Sequence, residues 1–190
     1  MFIVPLFILS CSIIFPSNAQ MSNGDKQAFL DYHNQARQDL VLGRVPGQPR
    51  AKFMSEMRWN KDLERKAQYH ANKCRFQHDS NEDRRTDPFR YVGQNIYGGS
   101  NIKQYAHEKL KSFRALSMWF NEYKDFDYRS NSAINNRVIG HYTQMAWAKT
   151  TDLGCAVKDC QGYPGYRYKF LVVCDYGPGG NYNNERPYEA

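Results

Sequence analysis

Hydrophobic positions recur along the chain at helical spacing in some stretches and at alternate residues in others. Phe29, His33, Ala36 and Leu40 fall at offsets 0, 4, 7 and 11, one face of a helix. Ser22-Asn23-Gly24-Asp25 offers N-caps ahead of that face, and Gly43 is its expected stop. A second helix is predicted after Trp59, with Asn60 as cap and Leu63, Ala67, His70, Ala71 and Cys74 at helical spacing. Gln104 to Lys124 reads as a third, with Phe113, Leu116, Phe120 and Tyr123 on one face and Trp119 beside it. The alternate-residue pattern appears in Tyr166, Tyr168, Phe170 and Val172, set against Arg167 and Lys169. It turns apolar on both faces towards Cys174, as a central strand does. Gly154 to Val157 is a second short strand.

The intervening segments are polar or rich in Gly and Pro. Val45 to Pro49 and Asn81 to Asp87 read as loops, Gly162 to Gly165 as a turn, and Gly177 to Ala190 as an irregular tail. Gly93 to Gly99 lacks the spacing and the Lys of a phosphate loop, and a turn feeding a short buried strand or helix explains its glycines. Asp125 to Val138 is a long polar loop that carries Phe126 and Tyr128.

The first nineteen residues, Met1 to Ala19, hold no charged side chain and carry apolar runs that end at Ser17-Asn18-Ala19. This is the pattern of a secretory signal peptide, broken by prolines and short for a bilayer span. Removal leaves residues 20–190 as one domain, expected to be secreted, extracellular and monomeric. The net charge of +7 is spread along the chain. No nucleic-acid motif accompanies it, and it suits weak attraction to anionic membranes or glycans.

Of five cysteines, Cys11 leaves with the leader, so Cys74, Cys155, Cys160 and Cys174 remain. Four thiols allow three pairings or one zinc site, and an oxidising compartment without any C-x-x-C pair favours two disulfides. Among the histidines, His33, His70 and His107 fall in helical stretches, whereas His78 and His141 fall in irregular or boundary segments. His33, Asn34 and Arg37 are expected to bind backbone, and His70 to be a satisfied core histidine. Glu122 lies three residues after Trp119, at the edge of an aromatic core, where a carboxylate is either hydrogen-bonded or a ligand. With two imidazoles it would form an incomplete Zn2+ shell, finished by water.

Gly140-His141-Tyr142-Thr143-Gln144-Met145-Ala146-Trp147 and Cys174-Asp175-Tyr176-Gly177-Pro178-Gly179-Gly180-Asn181-Tyr182 resemble the two signature motifs of the CAP superfamily. That group includes cysteine-rich secretory, antigen 5 and pathogenesis-related 1 proteins. His33-Asn34 with Arg37, Gly93-Gln94-Asn95-Ile96, and Trp119 with Glu122 are similar to its other landmarks, in the same order. The loop Val45–Pro49 and the run to Trp59 look most like the venom allergen-like members of parasitic flatworms.

The resemblance implies an α+β fold, a three-layer α-β-α sandwich with a small, mainly antiparallel sheet and a large central cleft. It implies disulfides Cys74–Cys160 and Cys155–Cys174, and a cleft faced by His78, Glu122 and His141. The family's fourth cleft residue is usually Glu, and here it is Gln94, which cannot act as a general base.

Three functions are compatible with these residues and with the resemblance. The favoured one is a secreted binder of lipid, either sterol or fatty acid, that is not an enzyme. The resemblance places sterol binding on the loop after the Trp-x-x-Glu helix, here Tyr123, Phe126 and Tyr128, and zinc or another divalent metal on His78 and His141. The second is a metal-dependent hydrolase or protease with Glu122 as base. The third is a protein ligand for host receptors or matrix.

Overall fold

The computed structural model describes residues 21–99, 114–165 and 167–190. The predicted leader with Cys11, the start of the third helix with His107 and Phe113, and Tyr166 lie outside the described residues.

Helix α1, Asn23–Val41, begins at a reciprocal cap. The Ser22 hydroxyl accepts from the Asp25 N–H (3.1 Å), and the Asp25 carboxylate accepts from the Ser22 N–H (3.2 Å). Its buried residues include Phe29, His33, Ala36 and Leu40, the face that the spacing predicts. Gly43 follows in the left-handed region (φ 68°) that glycine adopts without strain. Helix α2, Lys61–Ala71, starts at Asn60, whose side-chain oxygen accepts from the N–H groups of Asp62 and Leu63. It buries Leu63, Ala67, His70 and Ala71.

The main sheet has four strands in the order β1-β5-β6-β2. These are β1 (Arg58–Trp59), β2 (Gly93–Gly99), β5 (Asp152–Asp159) and β6 (Phe170–Gly177). β1 runs parallel to β5, and the other two pairings are antiparallel. All eight residues of β6 are buried, as a central strand requires. The predicted start of that strand at Tyr166 is corrected to Phe170. The alternation of Arg167 and Lys169 precedes the ladder, whose first pairs join Phe170 to Asp159 and to Gly99. Other elements among the described residues are the short helices α3 (Asn81–Arg84), α4 (Arg114–Asn121) and α5 (Gly140–Met145), 3-10 turns at Glu122–Asp125 and Ile134–Asn136, and the two-residue strands β3 (Phe126–Asp127) and β4 (Ser132–Ala133).

Alternate residues of β5 and β6 face two different cores. Cys155, Val157, Val172, Cys174 and Tyr176 pack with Phe29 of α1 and Leu116 and Trp119 of α4. Ala156, Leu171 and Val173 pack with Ala67 and Ala71 of α2. This is the α-β-α sandwich. Contact with α2 is so close that a Cβ on Gly154 would stand 2.1 Å from the Glu64 backbone nitrogen, so only glycine fits. Cys155 and Cys174 are direct cross-strand partners and are bonded to each other. Cys74, just past α2, is bonded to Cys160, just past β5.

Candidate functional site

The site is built on β2, the outermost strand in the described sheet order, at the adjacent residues Gln94 and Asn95. Neighbouring strand residues point to opposite faces, so these two side chains serve different helical layers. On the α2 side, Gln94 is paired in register with Asp175 of β6. Its Nε2 donates to Asp175 Oδ1 and to Asp79 Oδ1, both at 3.0 Å. With the amide nitrogen facing two carboxylates, Oε1 is the acceptor, and His78 Nδ1–H donates to it at 3.0 Å.

Asp79 is held from behind by Arg84 at 2.8 Å, and it lies 3.6 Å from His70 Nδ1, beyond hydrogen-bond reach. His70 Nε2 donates to the Gln77 carbonyl at 2.7 Å, which fixes the turn that carries His78. Burial lowers the His70 pKa, against the pull of Asp79. Asp175 is fully buried, and burial holds its carboxyl well above the ordinary carboxylate range despite the hydrogen bond from Gln94. Its Oδ2 has no partner among the described residues.

On the other face, Asn95 Nδ2 donates to the His141 carbonyl (3.1 Å) and to the Tyr176 hydroxyl (3.0 Å). Tyr176 in turn donates to His33 Nε2 (2.9 Å), because His33 Nδ1–H is committed to the Phe29 carbonyl (2.7 Å). Burial pushes the His33 pKa down to about 4, so the ring is a neutral strut of the core. Arg37 is a second strut. Its guanidinium donates to the carbonyls of Ser55, Met145, Trp147, Ala148 and Thr150 and so ties α1 to the segment after α5. Asn34 exchanges two bonds with the Met57 backbone. The polar set of α1 thus binds backbone and neighbouring side chains.

Glu122 opens the 3-10 turn that follows α4. Its Oε1 accepts from His141 Nδ1–H at 2.6 Å. Its Oε2 accepts from the backbone N–H groups of His141 (3.0 Å) and Tyr142 (3.2 Å). Those N–H groups open α5, whose own N-cap residue Ile139 supplies no side-chain bond. Glu122 is therefore the missing cap of α5, delivered from another element. The Trp119 ring lies nearly parallel to His141 (14°, centroids 5.8 Å apart) and fixes the remaining freedom of the imidazole.

His78 and His141 are thus tethered through neighbouring residues of one strand edge, a side chain to Gln94 and a carbonyl to Asn95. Both rings turn Nδ1 towards an acceptor oxygen, which leaves Nε2 as the atom open to a further partner. That is how a metal-binding imidazole is oriented from behind. Among the described residues, no three His, Cys, Asp or Glu side chains converge as a metal shell. What the structure gives is the orientation of each ring: Gln94 holds His78 and Glu122 holds His141.

Phe126 does not face solvent as a lipid-covering loop would require. It is 2 % exposed and packs with Leu40, Tyr142 and Tyr188, so it anchors the loop to the core. Tyr123 is partly buried against the same cluster. Tyr128 is held by its hydroxyl, which donates to the Tyr188 carbonyl at 2.8 Å, and its ring lines a groove of about 710 Å3 against the C-terminal tail. Phe53, Trp147, Pro187 and Tyr188 line the same groove, and Phe53 is 71 % exposed. Sequence reasoning missed Phe53, which stands between Lys52 and Met54 in a stretch that no periodicity singles out.

Comparison with known proteins agrees with this architecture. The chain is 39% identical over 179 residues to venom allergen 5 of Vespula vidua, with 89% of this chain and 81% of that protein covered. The structure of venom allergen-like protein 4 of Schistosoma mansoni superposes with a TM-score of 0.73 at 31% identity, over 90% of this chain and 96% of that one. The crystal structure of NaASP2 with Zn2+ superposes with a TM-score of 0.69 at 30% identity, over 89% of this chain and 87% of that one. Residues 30–176 match the family described as CAP, the cysteine-rich secretory protein family, and the chain belongs to that family.

Proposed function

We infer that this chain is a secreted, non-enzymatic binding protein that takes an apolar lipid of the sterol class in the groove beside Tyr128. The observation that carries this reading is the groove itself. At about 710 Å3 it falls in the size range of small-molecule sites, and aromatic rings line it from loop and tail. A flat sterol buried there would gain ~25 cal/mol for each Å2 of apolar surface removed from water. Secretion is supported by the leader at Met1–Ala19, by two disulfides and by likeness to a venom protein. No helix among the described residues is long and apolar enough to cross a membrane.

Two features speak against hydrolysis. Gln94 has no base to offer, and Glu122 already accepts three hydrogen bonds, so taking a proton would loosen the start of α5. The test is lipid extraction of purified protein with mass spectrometry, then competition with a labelled sterol. Phe53→Ser should weaken sterol binding about tenfold without loss of stability. No bound lipid and no sterol affinity would overturn the proposal, as would peptide cleavage abolished by Glu122→Ala.

A second reading has its own observation, the paired Nδ1 bonds of His78 and His141. We infer that these rings hold a divalent ion such as zinc, a view supported by the likeness to NaASP2 with Zn2+. Bound there, such an ion would be a Lewis acid or a structural clamp. His78→Ala and His141→Ala should each weaken zinc affinity in a calorimetric titration, and an unchanged affinity would refute the site.

A further inference from the structure

On the α2 side of the molecule a second groove, of about 570 Å3, runs between the turn after α2 and the loop after β5. Lys73, Arg75 and Phe76 line it from the first wall, and Tyr163, Arg167 and Tyr168 from the second. We propose that this groove binds a sulfated polysaccharide of the glycosaminoglycan class. This site is separate from the lipid groove and does not depend on it.

The first support is charge. Cations enter from both walls, and no acidic residue lines the groove. Lys73, Arg75 and Arg167 form no ion pair with a carboxylate among the described residues. Lys73 instead sits over the Tyr69 ring at 4.2 Å. Asp159, close in sequence to the second wall, accepts from the Gln161 N–H at 2.9 Å. Guanidinium groups pair well with the oxygens of a tetrahedral oxyanion.

The second support is the aromatic lining. Phe76 is 52 % exposed and Tyr163 is 47 % exposed, large rings that the core does not use. The Phe76 and Tyr168 rings meet across the groove with centroids 5.1 Å apart. Rings beside cations suit a ligand with apolar C–H faces and repeated anionic groups, as a sulfated sugar chain has. A phosphate headgroup alone would leave the rings without a partner.

The third support is rigidity. Cys74 lines the groove, and its disulfide to Cys160 ties the two walls together across a sequence separation of 86 residues. A covalently spaced groove loses little freedom on binding. The net charge of +7 adds attraction at long range.

The test uses the full chain, with heparin oligosaccharides in calorimetry and on an affinity column. Arg75→Ala/Arg167→Ala should bind about tenfold more weakly than the parent protein. Lys61→Ala/Arg129→Ala removes the same charge away from the groove and should stay within about twofold. Phe76→Ala should weaken heparin binding and leave retention by a sulfonated resin unchanged. Equal losses in the two double variants would overturn the proposal, since only net charge would then matter. So would equal affinity for desulfated heparin. Tight binding to phosphatidylserine vesicles without binding to oligosaccharide would overturn it in favour of a membrane surface. All the altered side chains are exposed or half-buried, so folding is not at stake.

Discussion

Gln94→Glu would restore the residue that the resemblance leads one to expect, and the structure predicts that it harms the protein. In place of an amide NH2 that donates to two carboxyl groups, it puts a carboxyl oxygen about 3.0 Å from Asp79 Oδ1 and Asp175 Oδ1. If ionised, the new group meets repulsion of ~4 kcal/mol per like pair at 4 Å and an effective dielectric of 20. Staying protonated is the cheaper course. At pH 7 that costs about 4 kcal/mol, the gap from an unfolded pKa near 4.3 at 1.36 kcal/mol per pH unit. A protonated carboxyl has one donor, so a further ~1 kcal/mol goes with the bond that is not replaced. The expected loss is about 4–5 kcal/mol at pH 7, a large share of the roughly 5–15 kcal/mol that holds an ordinary domain together. The sign follows from proton uptake. The new carboxyl has a raised folded pKa, so the native state binds more protons, and its penalty shrinks as pH falls towards 4.3. Urea unfolding at pH 7 and pH 4.5 measures both values. Asp175→Asn in the same background should recover much of the loss, with a clear coupling in the double-mutant cycle. Equal stability of Gln94→Glu and parent at both pH values, or strict additivity with Asp175→Asn, would refute the network.

Three more outcomes follow from the same bonds. His33, with a folded pKa of about 4 against an ordinary 6.5, costs the protein about 3 kcal/mol of stability as pH falls from 6.5 to 4; an NMR titration showing His33 protonated near pH 6.5 would contradict this. Glu122→Gln should cost about 1–2 kcal/mol and loosen the first turn of α5, read by urea unfolding and by faster amide exchange at His141 and Tyr142. Phe126→Ala should cost about 3–5 kcal/mol in a urea melt, whereas Phe53→Ala should stay within ~0.5 kcal/mol; reversed values would make Phe126 the exposed ligand contact after all.

Much of the frame is legible in local pattern because local physics decides it. Ser22 with Asp25, and Asn60 before Leu63, mark helix starts that the structure keeps. The apolar run through Val172 and Val173 marks a central strand, because only a strand covered on both faces is apolar throughout. The start of that strand is not legible: Arg167 and Lys169 alternate as a strand would, yet the ladder begins only at Phe170. The role of Glu122 leaves one faint trace. Ile139 cannot cap a helix, so the N–H groups of His141 and Tyr142 needed an acceptor from elsewhere. A helix start without a local cap is a reason to look for a distant acid, and Glu122, at the edge of the aromatic face, was available.

Gln94 shows what a single position cannot tell. Read alone, it is a lost carboxylate. The strand register sets it opposite Asp175, and the turn after α2 brings Asp79 to the same amide. Negative charge is thus still present beside β2, but it sits behind residue 94 rather than on it. An amide is then the side chain that fits, since only an amide can donate to two carboxylates and still accept from His78. A carboxylate there could still accept from the His78 N–H, but it would leave the oxygens of Asp79 and Asp175 without the donor that they now share. The departure at 94 is therefore tied to its cross-strand neighbour and orients the His78 ring, a role that needs no proton transfer.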